Sequence, residues 1–591
     1  MSMLEAEKGN TMKRLWHFLD GYRKESILAP LFKMLEAFFD LLVPIVVARI
    51  INVGIAQGNH AYILKEAGVL ILLAAAGMTC SFTAQYFAAK AAVGFGTEVR
   101  QAVFDHIQHL SYTELDQLGT GTLITRLTSD INQVQTGLNM GLRLLLRSPF
   151  IVFGSVIMAF TINVKCALIF LAAVPILLAV VYGIMVVTIP MYRKVQMGLD
   201  RITGLTRENL TGVRVIRAFG RERDSVKEFD EANGAMTMQN EKVGAISALL
   251  NPVTYVLINL ATILLIQRGA IQVNLGSIQQ GDVVALYNYM AQMIVELIKL
   301  ASLIITLNKS LACADRVADI LDVKSSMQYP ENNTEGDHSG SVVFDHVSFS
   351  YQGAGAESLT DISFSAAPGS TVGIIGGTGS GKSTLVNLIP RFYDPQCGSV
   401  LVDGVNVKDY GEGELIAKIG VVPQKAELFA GTIRDNLKWG NENASEEQLQ
   451  EAVRTAQAEE VVNGKAGKLD YMLEQNGRNL SGGQKQRLTI ARALVKHPEI
   501  LILDDSASAL DFATDARLRK SLRSLPHPCT TFIVSQRCSS IMQADQILVL
   551  NDGKLAGKGT HEELMQNCGI YQEIFYSQFP EKKPAGKAVL A

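Results

Sequence analysis

The sequence predicts a membrane α-helical domain of six transmembrane helices with long cytoplasmic extensions, fused to an α/β P-loop nucleotide-binding domain. Three observations carry that expectation. Apolar runs near the ~20 residues that a helix needs to cross a hydrocarbon core recur through the first half. The second half alternates like a soluble α/β domain. The stretch Thr371 to Leu385 reads strand, glycine-rich loop, helix, with the pattern G-x-x-x-x-G-K-[ST] at Gly376 to Ser383.

Along the chain, Met12 to Arg23 mixes basic residues with Leu, Trp, Phe and Tyr and predicts an elbow helix lying along a membrane surface. The six apolar segments are expected at about 27–53, 65–92, 140–162, 164–188, 246–267 and 281–306. The first is interrupted by Lys33, Glu36, Asp40 and Arg49. Loops after the first, third and fifth segments are short and nearly free of Lys and Arg. Those after the second and fourth are long, and the latter carries Arg193, Lys194, Arg201, Arg207, Arg214, Arg217, Arg221 and Arg223. This positive-inside bias puts both termini and both long loops in the cytoplasm of a multi-pass plasma-membrane protein. Segments two to five are expected to continue as helices past the bilayer and to turn at two corners, Thr113 to Gly121 and Gly212 to Gly220. The membrane domain then spans 1–323, a polar linker 324–340, the nucleotide-binding domain 341–579 and a polar tail 580–591.

The net charge of -3 argues against nucleic acid as a partner. Seven scattered cysteines with no C-x-x-C spacing predict neither a disulfide framework nor a zinc site. The spans exclude a soluble enzyme.

The chemistry lies in the second half. Successive N–H groups of Gly376, Gly377, Thr378, Gly379, Ser380 and Gly381 form an anion nest at the start of a helix. Lys382 adds a charge for the β- and γ-phosphates of ATP, and Ser383 and Thr384 follow, the Ser383 hydroxyl suited to Mg²⁺. Tyr351 ends a strand and is suited to stack on an adenine ring. Gln424, after Gly-Val-Val-Pro, offers a carbonyl oxygen to a metal or a water. Leu480 to Gln484, Leu-Ser-Gly-Gly-Gln, opens another helix. Ile500 to Asp504 is an apolar strand ending in a carboxylate of the kind that helps hold Mg²⁺, and Ser508 to Asp511, Ser-Ala-Leu-Asp, follows it.

P-loop, Gln424, Leu-Ser-Gly-Gly-Gln, Asp504 and Ser-Ala-Leu-Asp in this order resemble an ATP-binding-cassette (ABC) domain. Six preceding spans with two long loops resemble the ABC exporter half-transporters of the multidrug type, over about Met12 to Phe579. The resemblance implies that two such subunits pair head to tail. Ser481, Gly482, Gly483 and Gln484 would then meet the partner's ATP, and the corners near Asp116 and Val215 would be coupling helices.

Two departures stand out. Where the family has a catalytic Glu after Asp504, this chain has Asp505; where it has a His against the γ-phosphate, this chain has Gln536. The shorter carboxylate is withdrawn by roughly 1.5 Å, and misplacement on the order of 1 Å costs about 10²-fold in rate. Gln cannot carry the charge or the proton that His can. The resemblance therefore implies the degenerate-site subunit of a bacterial heterodimeric exporter, whose intact signature completes the partner's site. The expected cargo is a lipophilic or amphipathic small molecule. An ATP-gated channel, a regulatory membrane protein and a homodimeric exporter are the alternatives. Asn259, Asn288, Gln292 and Glu296, and the pair Glu36 and Asp40, either line a cavity or hydrogen-bond helices together.

Overall fold

The computed structural model describes residues 15–330 and 339–583. The chain divides into two compact units. One comprises the residues up to Gln108 together with Gly121–Val323; the other comprises His109–Thr120 and the residues from Lys324 onward.

The first unit is helical. Of the elbow expected at 12–23, residues 12–14 lie outside the described residues; His17–Tyr22 forms a 3₁₀ turn. Helices α1 (Arg23–Arg49) and α2 (His60–Gln108) follow, α1 closing in a π-helical turn over Ile50–Ile55. The short helix α3 (Tyr112–Leu118) belongs to the other unit. Next come α4 (Thr120–Thr125), α5 (Ile131–Leu144), α6 (Arg147–Ile162), α7 (Val164–Thr211), α8 (Val213–Ala218), α9 (Glu222–Ala248), α10 (Leu250–Asn274) and α11 (Gln280–Asp322).

Among the described residues, six helical stretches are long and apolar enough to cross a membrane: 17–55, 60–108, 120–162, 164–211, 222–274 and 280–322. They run well past the apolar segments themselves. Backbone hydrogen bonds within a helix need no apolar side chains, so apolarity marks the part inside lipid and not the helix ends. Side chains follow the same logic. Leu64, Ile71, Leu72, Met78 and Phe82 of α2 are exposed, whereas Ala84, Ala88, Ala91 and Ala92 are buried. Small residues at the contact let backbones approach closely when the surrounding solvent is itself apolar. Leu41 and Ala48 of α1, Val152 and Ala159 of α6, Ala167 and Phe170 of α7, and Leu286, Tyr289 and Met293 of α11 form the core of this unit. The π turn ending α1 presents Asn52, whose Oδ1 accepts from the Gly281 N–H at 2.7 Å and so caps α11.

The second unit is α/β. Strands β1 (Val342–Phe349), β2 (Leu359–Ala366), β4 (Cys397–Val402) and β5 (Val405–Asn406) make a four-stranded sheet in the order β2-β1-β4-β5, with β1 antiparallel to both β2 and β4. The larger sheet joins β3 (Thr371–Gly376), β6 (Ile419–Val422), β9 (Ile500–Asp504), β10 (Thr530–Val534), β11 (Gln546–Asn551) and β12 (Lys554–Gly559). Its order is β12-β11-β3-β10-β9-β6, parallel except at β12. A two-stranded ribbon pairs β7 (Gly431–Thr432) with β8 (Met472–Leu473). Strands β3, β9 and β10 are buried nearly throughout and read as continuous apolar runs, as both-face burial requires.

Asp403 anchors the start of this unit. It is buried and takes the Gly340 N–H at 2.6 Å, the Ser341 N–H at 3.2 Å and the Lys418 amine at 2.5 Å. Burial pushes its carboxyl up, but the Lys418 amine and the two N–H groups outweigh that and hold it below the usual carboxylate range. A lowered folded-state value means the stabilisation is present above the unfolded value, near 4, and is lost as pH falls through the folded one. Asp403→Asn should therefore lower stability at pH 7 by roughly 3 kcal/mol and flatten its decline as pH falls below about 5, read by chemical unfolding of the full chain.

Candidate nucleotide site

The loop between β3 and helix α12 (Lys382–Leu388) begins and ends at positions that demand glycine. A Cβ on Gly376 would lie 2.2 Å from the Leu550 carbonyl oxygen. Gly381 has φ +93 and faces the Ser358 carbonyl at 2.7 Å from any added Cβ. Lys382 folds over this loop, its amine donating to the carbonyls of Gly376 at 3.0 Å and Gly377 at 2.6 Å.

Thr378 to Thr384 line a cleft of about 730 Å³ that also takes in Tyr351, Gln424, Asp504, Asp505 and Gln536. The Ser383 hydroxyl donates to Asp504 Oδ1 at 3.0 Å, and the Tyr351 hydroxyl meets the Thr384 hydroxyl at 3.2 Å. Gln424 Nε2 lies 3.5 Å from Asp505 Oδ2. Asp505 sits at the end of β9 with φ +45, its N–H bonded to the Val534 carbonyl at 3.0 Å. Gln536 is fixed through its backbone, whose carbonyl accepts from Gln578 at 2.7 Å.

Desolvation governs the charges. Burial pulls the Lys382 amine down, against the attraction of Asp505 and Asp504. Burial pushes the Asp504 carboxyl up, opposed chiefly by the Ser383 hydrogen bond, and pushes Asp505 up against Gln424, Lys382 and Arg537. Hydroxyl, carboxylate and amide oxygens at Ser383, Asp504 and Gln424 are hard donors of the kind Mg²⁺ takes. Among the described residues no group of three or more His, Cys, Asp and Glu side chains is arranged to hold a metal by itself. Phosphate oxygens and water would complete such a shell.

Ser481 to Gln484 do not line this cleft. They open helix α13 (Gly482–Leu494), where Ser481 and Gln484 cap one another: Ser481 N–H donates to Gln484 Oε1 at 3.0 Å and Gln484 N–H to Ser481 Oγ at 3.4 Å. Gly482 is open, whereas a Cβ on Gly483 would come within 2.9 Å of the Ala509 carbonyl. The signature is therefore packed on the Ser508–Asp511 turn. Arg537 holds the other side of that turn, donating to the carbonyls of Leu510 at 3.1 Å and Ser508 at 3.3 Å.

A path leads out of the cleft through aromatic rings. The Tyr351 ring meets Tyr393 edge-on at 5.3 Å, and the Tyr393 hydroxyl donates to Asp116 Oδ2 of α3 at 2.7 Å. Tyr112 of α3 packs on Phe392 at 4.6 Å, and Gln117 bonds Gln352. Helix α3 is rigid at both ends, with Ser111 and Glu114 in a capping box and Gly119 at φ +71 stopping it. Tyr393 and Arg537 escaped the sequence reading because each acts on a segment distant in sequence; only the basic residue beside Gln536 was a local sign of the second.

Comparisons with known proteins agree with this geometry. Residues 26–297 match the ABC transporter transmembrane region and residues 359–508 the ABC transporter domain. An ABC transporter ATP-binding protein of Bacillus subtilis (strain 168), YfiB, is 38% identical over 96% of this chain and 99% of its own length. The probable multidrug resistance ABC transporter ATP-binding/permease protein YheI of the same organism is 34% identical over 81% of this chain and 82% of its own. The ATP-dependent lipid A-core flippase of Yersinia pestis is 28% identical over 96% of this chain and 98% of its own. A bacterial Atm1-family ABC exporter solved with ATP bound superposes with a TM-score of 0.78 at 25% identity, over 96% of this chain and 99% of that one. The chain belongs to the ABC transporter family and is an exporter half-transporter, a membrane domain of six apolar helices followed by an ATP-binding domain.

Proposed function

We propose that this chain is one subunit of a heterodimeric, ATP-driven exporter of lipophilic or amphipathic compounds, and that its own P-loop site holds MgATP but turns it over slowly. The observation that carries this is the composition of the cleft. Every binding group is present, from Tyr351 through Lys382 and Ser383 to Asp504, while the two hydrolytic positions hold Asp505 and Gln536. Asp505 is too short to bring its carboxylate where a Glu would, and Gln536 offers no positive charge to the γ-phosphate. ATP retained here would favour a state in which the two nucleotide domains stay together, as any state-selective ligand does. Ser481 to Gln484 would serve the partner's ATP. The Arg-rich long loop after the fourth span supports a cytoplasmic nucleotide domain in a protein of the cell membrane. The names of the multidrug and flippase relatives support the class of cargo.

We further read the Tyr351–Tyr393–Asp116 path as a route by which nucleotide occupancy reaches the first coupling helix, α3. Tyr393→Phe keeps the ring and removes one hydrogen bond, worth about 1 kcal/mol. It should leave ATP affinity within about twofold and reduce the stimulation of ATPase by transported compound by about fivefold. Unchanged stimulation in the purified complex contradicts the route.

The chain purified alone should hydrolyse ATP slowly, since a homodimer would have two weak sites. In the native complex, Asp505→Ala should lower steady-state turnover only modestly, less than about threefold, whereas losing a true catalytic base costs 10²-fold or more. Vigorous turnover by the homodimer would sink the heterodimer reading, and near-complete loss on Asp505→Ala would make Asp505 a working base.

A further inference from the structure

The segment before α1 and the helices around it leave an apolar groove of about 350 Å³. Leu15, Trp16 and Leu19 line it from that segment, Phe95 from α2, and rows of side chains from α5 and α11. Two glycines of α5 shape it. A Cβ on Gly137 would fall 2.0 Å from Ser310 Oγ, so α5 and α11 touch there. One turn on, the nearest neighbour of a Cβ on Gly141 would be Leu307 Cδ2 at 3.5 Å, an ordinary contact. The side chain that Gly141 lacks is space left to the groove.

Water has little to hold it there. Ser310 carries the only hydroxyl among the lining residues, and it is already engaged, donating to the Gln133 carbonyl at 2.7 Å and accepting from Gln133 Nε2 at 3.4 Å. A trapped water needs about two to four polar partners. Left empty, the groove would forfeit the dispersion contacts of every side chain that lines it. At roughly 30 Å³ for a group the size of a water molecule, it takes on the order of ten methylenes.

Every element meets the groove near the cytoplasmic end of its apolar run. Pro30 lies just inside the run at about 27–53 and Leu142 just inside that at about 140–162, while Phe95 and Leu307 lie just past the runs at about 65–92 and 281–306. The groove therefore straddles the boundary between hydrocarbon and the cytoplasmic headgroups. Leu15 and Phe95 are buried, whereas Trp16, Leu145 and Leu146 are half exposed or more, so it is closed on one side and open on another. From Leu146 the exposed apolar surface continues up α6 through Phe153 and Ile157, at i+7 and i+11 on the same face. The groove is thus continuous with surface that runs into the membrane. Charge at its mouth is basic: Lys13 and Arg14 immediately precede the first lining residues in sequence, and the exposed Lys24 follows them.

We propose that this groove holds one acyl chain of a cytoplasmic-leaflet phospholipid, whose phosphate lies against the basic residues flanking Leu15 and Trp16. The neighbouring bilayer supplies the chain, and moving it from lipid into the groove gives up no hydrophobic burial. The phosphate adds about 1 kcal/mol for each cation near the membrane surface, which separates a phospholipid from a neutral lipid with the same chain. Bound there, the lipid braces the segment before α1 against α5 and α11. The site is apart from the nucleotide cleft and needs no ATP.

Photolabelling tests it. The full chain, purified with whatever subunit accompanies it, is placed in phosphatidylcholine nanodiscs that contain a phosphatidylcholine with a diazirine in its acyl chain. After irradiation the label is mapped by peptide mass spectrometry. It should appear between Leu138 and Leu146 and between Leu307 and Leu311, as well as on the exposed face of α2 at Ile71, Leu72 and Phe82, which serves as the internal reference. Gly141→Leu, which grows into the groove, should cut the groove label at least about fivefold and leave the α2 label unchanged; Leu311→Trp, filling it from α11, should act alike. A diacylglycerol with the same chain should label the groove about fivefold less than the phospholipid, relative to α2. Absence of groove label in the wild type, groove label equal in wild type and both variants, or equal labelling by the diacylglycerol would overturn the proposal. So would loss of the groove label on adding a transported compound, which would assign the groove to cargo.

Discussion

The nucleotide site depends on how closely the P-loop backbone passes its neighbours. At Gly376 the chain leaves β3 against the Leu550 carbonyl, with no room for a Cβ, and at Gly381 it enters α12 in the left-handed region beside Ser358. Those two crossings turn the intervening N–H groups inward and set Lys382 over the loop. Strand β3 sits between β10 and β11, so the crossings are held by parallel ladders on both sides. From the same sheet β9 delivers Asp504 to Ser383, and the turn after β10 delivers Gln536. Binding chemistry in this chain is thus a property of the rigid sheet. In the proposed reading hydrolysis asks for more, a carboxylate of the right length and a charged partner, and those two positions hold Asp505 and Gln536.

The membrane unit follows a different constraint. Apolar side chains face outward, and alanine-rich surfaces face inward, because lipid gives no hydrophobic drive between helices. Charges survive there only when grouped. Isolated, any one of Lys33, Asp40, Arg147 or Glu296 would be costly in a hydrocarbon core; grouped, they tie α1, α6 and α11 together.

Much of this was legible in the residues. The strand–loop–helix around Gly376 to Ser383 and the apolar strand ending in Asp504 are local patterns, and local backbone chemistry dictates them. The six apolar helices were legible for the same reason. Contacts between distant segments were not. Tyr393 and Asp116 are 277 positions apart, and Arg147 and Glu296 are 149 apart; no periodicity couples them. Glu36, Asp40, Gln292 and Glu296 showed as polar stripes, but Arg147 joins them by sitting just before an apolar run, where it read as a boundary residue. The mutual capping of Ser481 and Gln484 was also hidden, because the same residues read equally well as an anion-seeking helix start.

The central claim is that nucleotide bound at Lys382 outlasts nucleotide hydrolysed elsewhere in the complex. Its most direct test is the chemical identity of the nucleotide on this chain during turnover. The purified complex is given Mg²⁺ and a photoactivatable azido-ATP labelled at the α-phosphate, cross-linked at steady state, and the label on this subunit is resolved as triphosphate or diphosphate. Predominantly triphosphate on this chain, with diphosphate on the accompanying subunit, is the predicted result; predominantly diphosphate here would contradict it.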